Sequence, residues 1–138
     1  MSITVTPLDK RTVNQYSPLA LAFLGDSVYE QLVRHHLVLH ANMPAGKLHS
    51  LAVKLVCCEF QSNAVEVILP YLTEDEADIM RRGRNSSGIT APKHASVSVY
   101  RRATSLECLF GYLYLLGEEE RIRELFEKIW LTVEIDAR

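Results

Sequence analysis

Cysteine is scarce in this chain of 138 residues. There are three, with Cys57 and Cys58 adjacent and Cys108 far downstream. That number and spacing exclude a disulfide framework and a paired CxxC metal site, and they suggest small apolar residues buried in a reducing compartment. No apolar run approaches the roughly 20 residues that cross a membrane. The opening MSITVTPLDK lacks a basic stretch followed by an apolar one, so no secretory leader is expected and the protein is assigned to the cytoplasm. Beyond SITVT at the start, no segment alternates as a strand does. There is no internal repeat, low-complexity stretch or interdomain linker. What is present is a 48% hydrophobic sequence, which excludes a disordered chain and suits one all-α domain spanning residues 1–138.

Net charge is only −2, which by itself argues against a general nucleic-acid binder. The distribution points the other way. Between Asp78 and Glu107 there is no acidic residue, yet Arg81, Arg82, Arg84, Lys93, Arg101 and Arg102 fall there. Acids are concentrated elsewhere, at Glu74 to Asp78 and Glu118 to Glu120. A local basic surface on a mildly acidic body is the footprint of a polyanion-binding site, although a basic run also serves simply as a solvated loop.

Residues 1–16 read as a polar, Thr-rich arm. Ser17 caps and Pro18 begins a first long helix reaching about His40. A turn at Ala41 to Met43 leads to a second helix opened by Pro44. A third runs from near Glu59 to Leu69, stopped by Pro70. Thr73 with Glu76 three residues later predicts a capping box and a helix ending near Gly83. Asn85 to His94 (NSSGITAPKH) is the clearest loop. A helix from about Ala95 to Leu116 follows, closed by Gly117, and the last helix reaches about Trp130.

Two stretches carry isolated acids in apolar helices. Leu19 to Glu30 reads LALAFLGDSVYE, with Asp26 between Gly25 and Ser27. An unpaired carboxylate in such surroundings is costly, and a mid-helix Gly costs about 1 kcal/mol relative to Ala, so a close approach is expected at Gly25. ATSLECLFGYLYLL repeats the pattern with Glu107 and, four residues on, Gly111. If the two helices cross at their glycines, Asp26 and Glu107 meet. Two carboxylates at one site repel unless they share a proton or a cation, and Mg²⁺, a hard ion with oxygen ligands and retained waters, satisfies both. The alternative is two unrelated core acids, each with its own Arg or Ser partner. His36 and His40 have a zinc-compatible spacing, but no HExxH or completing ligand accompanies them, and they read as polar helix-surface residues. Phe110, Tyr112, Tyr114 and Trp130 read as core or interface aromatics.

FLGDS at Phe23 to Ser27 resembles the signature helix of ribonuclease III catalytic domains, and AxxLExLFGYLYL at Ala103 to Leu115 resembles the second acidic motif of that family. RGRN at Arg82 to Asn85, TAPK at Thr90 to Lys93, and YRRATSLE are similar to the compact branch, mini-ribonuclease III, which consists of the catalytic domain alone. The resemblance covers roughly residues 18–130. It implies an all-α homodimer without a double-stranded-RNA-binding domain, cutting duplex RNA with Mg²⁺ to leave 5′-phosphate and 3′-hydroxyl ends, with the large-subunit ribosomal RNA precursor as substrate. Asp26 and Glu107 match the family's metal-binding acids and are the catalytic candidates. Ala22 and Thr104 stand where longer family members usually carry two more. That departure supports a runner-up reading, a catalytically inactive RNA-binding module, while the retention of Asp26 and Glu107 speaks against it. A helical protein-interaction adaptor would leave the charge segregation unexplained. Glu30, one turn after Asp26, suits either an outer contact or pairing with Arg34. Arg82, Arg84, Asn85, Ser86, Ser87, Lys93 and His94 would grip the RNA backbone. Leu21, Phe23 and Leu24 are the candidate dimer face.

Overall fold

The computed structural model describes residues 6–88, 91, 93 and 96–135. Its helices are α1 (Lys10–Val13), α2 (Pro18–His40), α3 (Ala45–Val56), α4 (Cys58–Ile68), α5 (Glu74–Arg84), α6 (Val97–Leu115) and α7 (Glu119–Trp130), with a 3₁₀ turn at Leu69–Tyr71. The helix starts follow local chemistry. Ser17 Oγ accepts from the Ala20 amide at 3.1 Å, freeing Pro18 to open α2 without needing a donor. Thr73 and Glu76 form the predicted capping box, at 3.2 and 2.9 Å. Gly117 leaves α6 at φ +75°, the left-handed conformation in which glycine pays no β-carbon penalty. In the arm, Asp9 caps the single turn of α1. The strand-like SITVT lies almost wholly outside the described residues.

α6 is the axis of the molecule. Leu106, Cys108, Leu109, Phe110 and Leu113 are all buried, so the helix is apolar around most of its circumference and takes the interior position. α2, α4, α5 and α7 pack around it, and α3 lies against α2 and α4. α7 is one-sided by contrast, burying Ile122, Leu125, Phe126 and Ile129 at three- and four-residue spacing. Tyr29 of α2 is fully buried between Phe110 and Phe126, with ring centroids at 5.8 and 5.7 Å. Its hydroxyl donates to the Leu55 carbonyl at 2.8 Å, tying α2 to α3. Arg121 of α7 grips the buried Glu76 with two bonds of 2.7 and 2.8 Å and donates to the Tyr71 carbonyl at 2.6 Å. One guanidinium thus joins α5, α7 and the 3₁₀ turn.

Several sequence expectations are corrected. Only Cys108 is buried; Cys57 is exposed and Cys58 half-buried, because the pair falls at the α3–α4 junction. Leu21, expected on an exposed face, is 1% exposed, since α2 turns that face onto α6. His36 is not a surface residue: its ring packs against Phe126 and Trp130, its Nδ1 donates to the Leu32 carbonyl, and its Nε2 lies 3.3 Å from Glu127. His40 is exposed, as expected. Among the described residues no helix is long and apolar enough to cross a membrane.

Candidate active site

The site begins with two glycines. A β-carbon on Gly25 would stand 1.6 Å from the Glu107 carbonyl oxygen, and one on Gly111 would stand 2.0 Å from that of Leu21. α2 and α6 therefore touch backbone to backbone, as the paired glycines predict, and the contact brings together the residues beside them. Asp26 lies within hydrogen-bonding reach of Glu107. The two are not equally buried. Asp26 is exposed at the mouth of the site, contrary to the expectation of two buried acids, whereas Glu107 is recessed.

They line an open cleft of about 520 Å³ with Leu19, Ala22, Phe23, Gln61, Tyr100 and Thr104. Burial first, then the hydrogen bond and charge of Asp26, push the Glu107 carboxyl up to about 8, opposed by a hydrogen bond from Gln61. Among the described residues, neither acid has a Lys or Arg ion-pair partner. The pair is thus short of positive charge among the described residues, and burial beside the Asp26 carboxylate favours the protonated form of Glu107. Nor, among the described residues, does a third His, Cys, Asp or Glu complete a protein-only metal cage. Two carboxylate ligands and open space for retained waters suit Mg²⁺, which is commonly held by one or two carboxylates. The donor set fits that ion.

Neither Ala22 nor Thr104 adds an acid to the site: Ala22 contributes only a buried methyl, and the Thr104 hydroxyl is committed to the Tyr100 carbonyl at 3.0 Å. Glu30 is engaged with Arg34, at 3.1 Å, away from the cleft. Gln61 was missed at the sequence level. Its signal was a long polar side chain in an otherwise largely apolar helical stretch, beside the buried Ser62.

The basic segment reaches the cleft rim through Gly88. Arg84, Asn85, Ser87 and Lys93 are exposed. Arg82 points its guanidinium at Asn14, 3.4 Å away, and Ser86 Oγ donates to the Arg82 carbonyl. Arg101, from the first turns of α6, donates to the Arg84 and Ser86 carbonyls at 2.8 and 3.3 Å and so pins the base of the loop. Arg81 and Arg102 are paired with Asp78 and Glu66, which removes them from the free positive surface. His94 lies outside the described residues. Of the candidate dimer residues, Phe23 is 86% exposed beside the cleft and Leu24 half-buried.

Comparison with known proteins gives a consistent result. The profile of the Ribonuclease III domain matches residues 19–118. Mini-ribonuclease 3 of Thermoanaerobacter sp. strain X514 is 46% identical over 120 residues, covering 87% of this chain and 84% of the relative. Mini-ribonuclease 3 of Brevibacillus brevis is 40% identical, covering 90% and 92%. A crystal structure of a Fusobacterium nucleatum protein superposes with a TM-score of 0.78 at 30% identity, covering 88% of this chain and 98% of that one.

Proposed function

The chain belongs to the mini-ribonuclease 3 branch of the ribonuclease III family, an endoribonuclease family, and from that premise we propose that it is a Mg²⁺-dependent, homodimeric nuclease of double-stranded RNA. The observation that carries this reading is the meeting of Asp26 and Glu107, without an ion-pair partner among the described residues, across a backbone-to-backbone helix crossing. A catalytically silent RNA-binding module has no use for such a charge-starved pair. In this reading Asp26 and Glu107 hold the ion.

An ion held by Asp26 and Glu107 would supply Lewis acidity, polarising the scissile phosphate and lowering the pKa of an attacking water. The chain's own residues do the rest. Glu107, whose carboxyl is pushed up to about 8 by burial and by Asp26, would have to lose its proton to hold the ion beside Asp26, which stands exposed at the cleft mouth. Arg82, Arg84, Asn85, Ser86, Ser87, Lys93 and His94 contact phosphates and 2′-hydroxyls, the features by which A-form RNA is recognised. Water oxygen bonds to phosphorus as the bond to the 3′-oxygen breaks, leaving 5′-phosphate and 3′-hydroxyl ends. Each site cuts one strand, so a two-fold pair matches the antiparallel strands of a duplex. Phe23, with Leu24, supplies the exposed apolar contact for that pairing. Leu21 supports it only from inside the protomer. The 138 residues act as one catalytic unit in the cytoplasm, and the substrate is a duplex in the large-subunit ribosomal RNA precursor.

The test is cleavage of a long RNA duplex with and without Mg²⁺, comparing the natural protein with Asp26→Asn and Glu107→Gln. Mg²⁺-dependent cutting that both variants lose, with duplex binding retained and weakening steeply with salt, supports the nuclease. Binding without cutting by all three proteins establishes the silent module instead.

A further inference from the structure

Gln61 is, with Ser62, one of two polar side chains buried on α4, whose other buried residues are apolar. It shares the α6-facing side of α4 with Ala64, Val65 and Ile68, and it is 2% exposed. An amide taken out of water without a partner costs roughly 1–3 kcal/mol, so an apolar residue would serve the core better there unless the amide has a task. Its Nε2 lies 3.5 Å from Oε2 of Glu107. No buried side-chain polar atom among the described residues lacks a hydrogen-bond partner, so the amide is accommodated rather than orphaned. The long side chain of Glu107 would otherwise be free to choose among rotamers in an open cleft. Among the described residues Gln61 is the only hydrogen-bond donor to it from a side chain that cannot carry charge.

We infer that Gln61 is a positioning residue for the metal site: its amide holds one oxygen of Glu107 against α4 and leaves the other for the ion. The inference rests on the nuclease reading above. It also accounts for how two carboxylates suffice where Ala22 and Thr104 offer no further acid. A neutral donor orients a ligand without adding a third negative charge to a pair of acids that, among the described residues, has no ion-pair partner. Partners that orient metal ligands typically change metal affinity by about 10–100-fold when removed.

The experiment is a Mn²⁺ titration of the metal-free full-length protein, followed by electron paramagnetic resonance, alongside the Mg²⁺ dependence of duplex cleavage. Gln61→Leu and the unbranched Gln61→Met are compared with the natural protein and with Ser62→Ala, which alters the neighbouring buried polar residue of α4. The expected result is Mn²⁺ affinity lowered about 10-fold or more in the Gln61 variants, with a matching rise in the Mg²⁺ needed for half-maximal cleavage. The KM for duplex and the unfolding temperature stay near those of the natural protein, and Ser62→Ala binds Mn²⁺ normally. Should Leu prevent folding, the Met variant carries the comparison. Unchanged Mn²⁺ affinity in a folded Gln61 variant, beside a natural protein that binds and cuts, overturns the positioning role and leaves the nuclease standing. A natural protein that neither binds Mn²⁺ nor cuts overturns both.

Discussion

Gly25 and Glu107 are in contact through bare backbone: a single methyl on Gly25 would fall 1.6 Å from the Glu107 carbonyl oxygen. No rotamer change relieves that overlap, because both partners are main chain of packed helices. The two helices would have to separate, and the acids with them.

Gly25→Ala and Gly111→Ala should therefore each destabilise the protein by about 3 kcal/mol or more, beyond ordinary overpacking. Gly46→Ala is the internal control. It also lies in a helix, a β-carbon there meets nothing within 4 Å, and the substitution should be neutral or stabilising by up to about 1 kcal/mol. Urea unfolding of the three variants checks the contrast. Equal effects at all three positions would contradict the backbone contact.

Metal-free stability should depend on pH through Glu107. Its folded carboxyl is pushed up to about 8 from an ordinary value of 4.5, by burial first and then by Asp26. A raised folded pKa means the folded state binds the proton more tightly. The stabilisation is complete below about pH 4.5 and is lost as pH rises through about 8. In chelator, the unfolding temperature of the natural protein should fall relative to that of Glu107→Gln between about pH 5 and pH 8. Added Mg²⁺ should restore more stability at the upper end of that window than at the lower. A difference between the two proteins that stays constant with pH would show that Glu107 is not the group responsible.

Removing Arg121 should be far more damaging than removing a surface cation. Burial pushes the Glu76 carboxyl up, but the bonds from Arg121 and Thr73 outweigh it and hold it below its usual range. Arg121→Met leaves that buried charge uncompensated, at about 3–5 kcal/mol. Arg123→Met, which breaks only the exposed pair with Glu120, should cost about 1 kcal/mol or less. Because the folded pKa of Glu76 is depressed, its contribution is present above about pH 4.5 and is lost as pH falls further. Acid titration of the natural protein and the Arg121 variant should show the difference narrowing at low pH.

Arg101 should matter for RNA without matching importance for folding. Its guanidinium holds the carbonyls of Arg84 and Ser86, so Arg101→Ala frees the loop base and makes binding order it anew. Hydrogen bonds from charged groups contribute about 1.5–3 kcal/mol, so duplex affinity should fall about 10-fold or more, with little change in unfolding temperature. Filter binding at fixed salt, paired with a melting curve, separates the two effects.

Helix boundaries were legible where a side chain marks them. Ser17–Pro18 and the Thr73–Glu76 box gave the starts of α2 and α5. The glycine crossing was legible too, since each acid carried its own unexplained Gly. Burial on α2 was not. Leu21, Phe23 and Leu24 are equally apolar, and only the packing of α6 decides that Leu21 goes in while Phe23 stays out. The same rotation leaves Asp26 exposed. His36 was misread because nothing local shows that Phe126 and Trp130, some ninety residues on, come to cover it. Gln61 escaped notice because an amide, unlike an acid, raises no question of charge.

The acids of this site are indexed by main chain meeting main chain rather than by interlocking side chains. Their spacing is thereby insulated from drift in the rest of the interior. Apolar residues remote from the crossing, such as Ile122, Leu125 and Ile129 of α7, can be exchanged over evolutionary time at the expense of heat tolerance while cutting geometry stays the same. In a randomised library of such positions, variants should lose their resistance to warming well before they lose their chemistry.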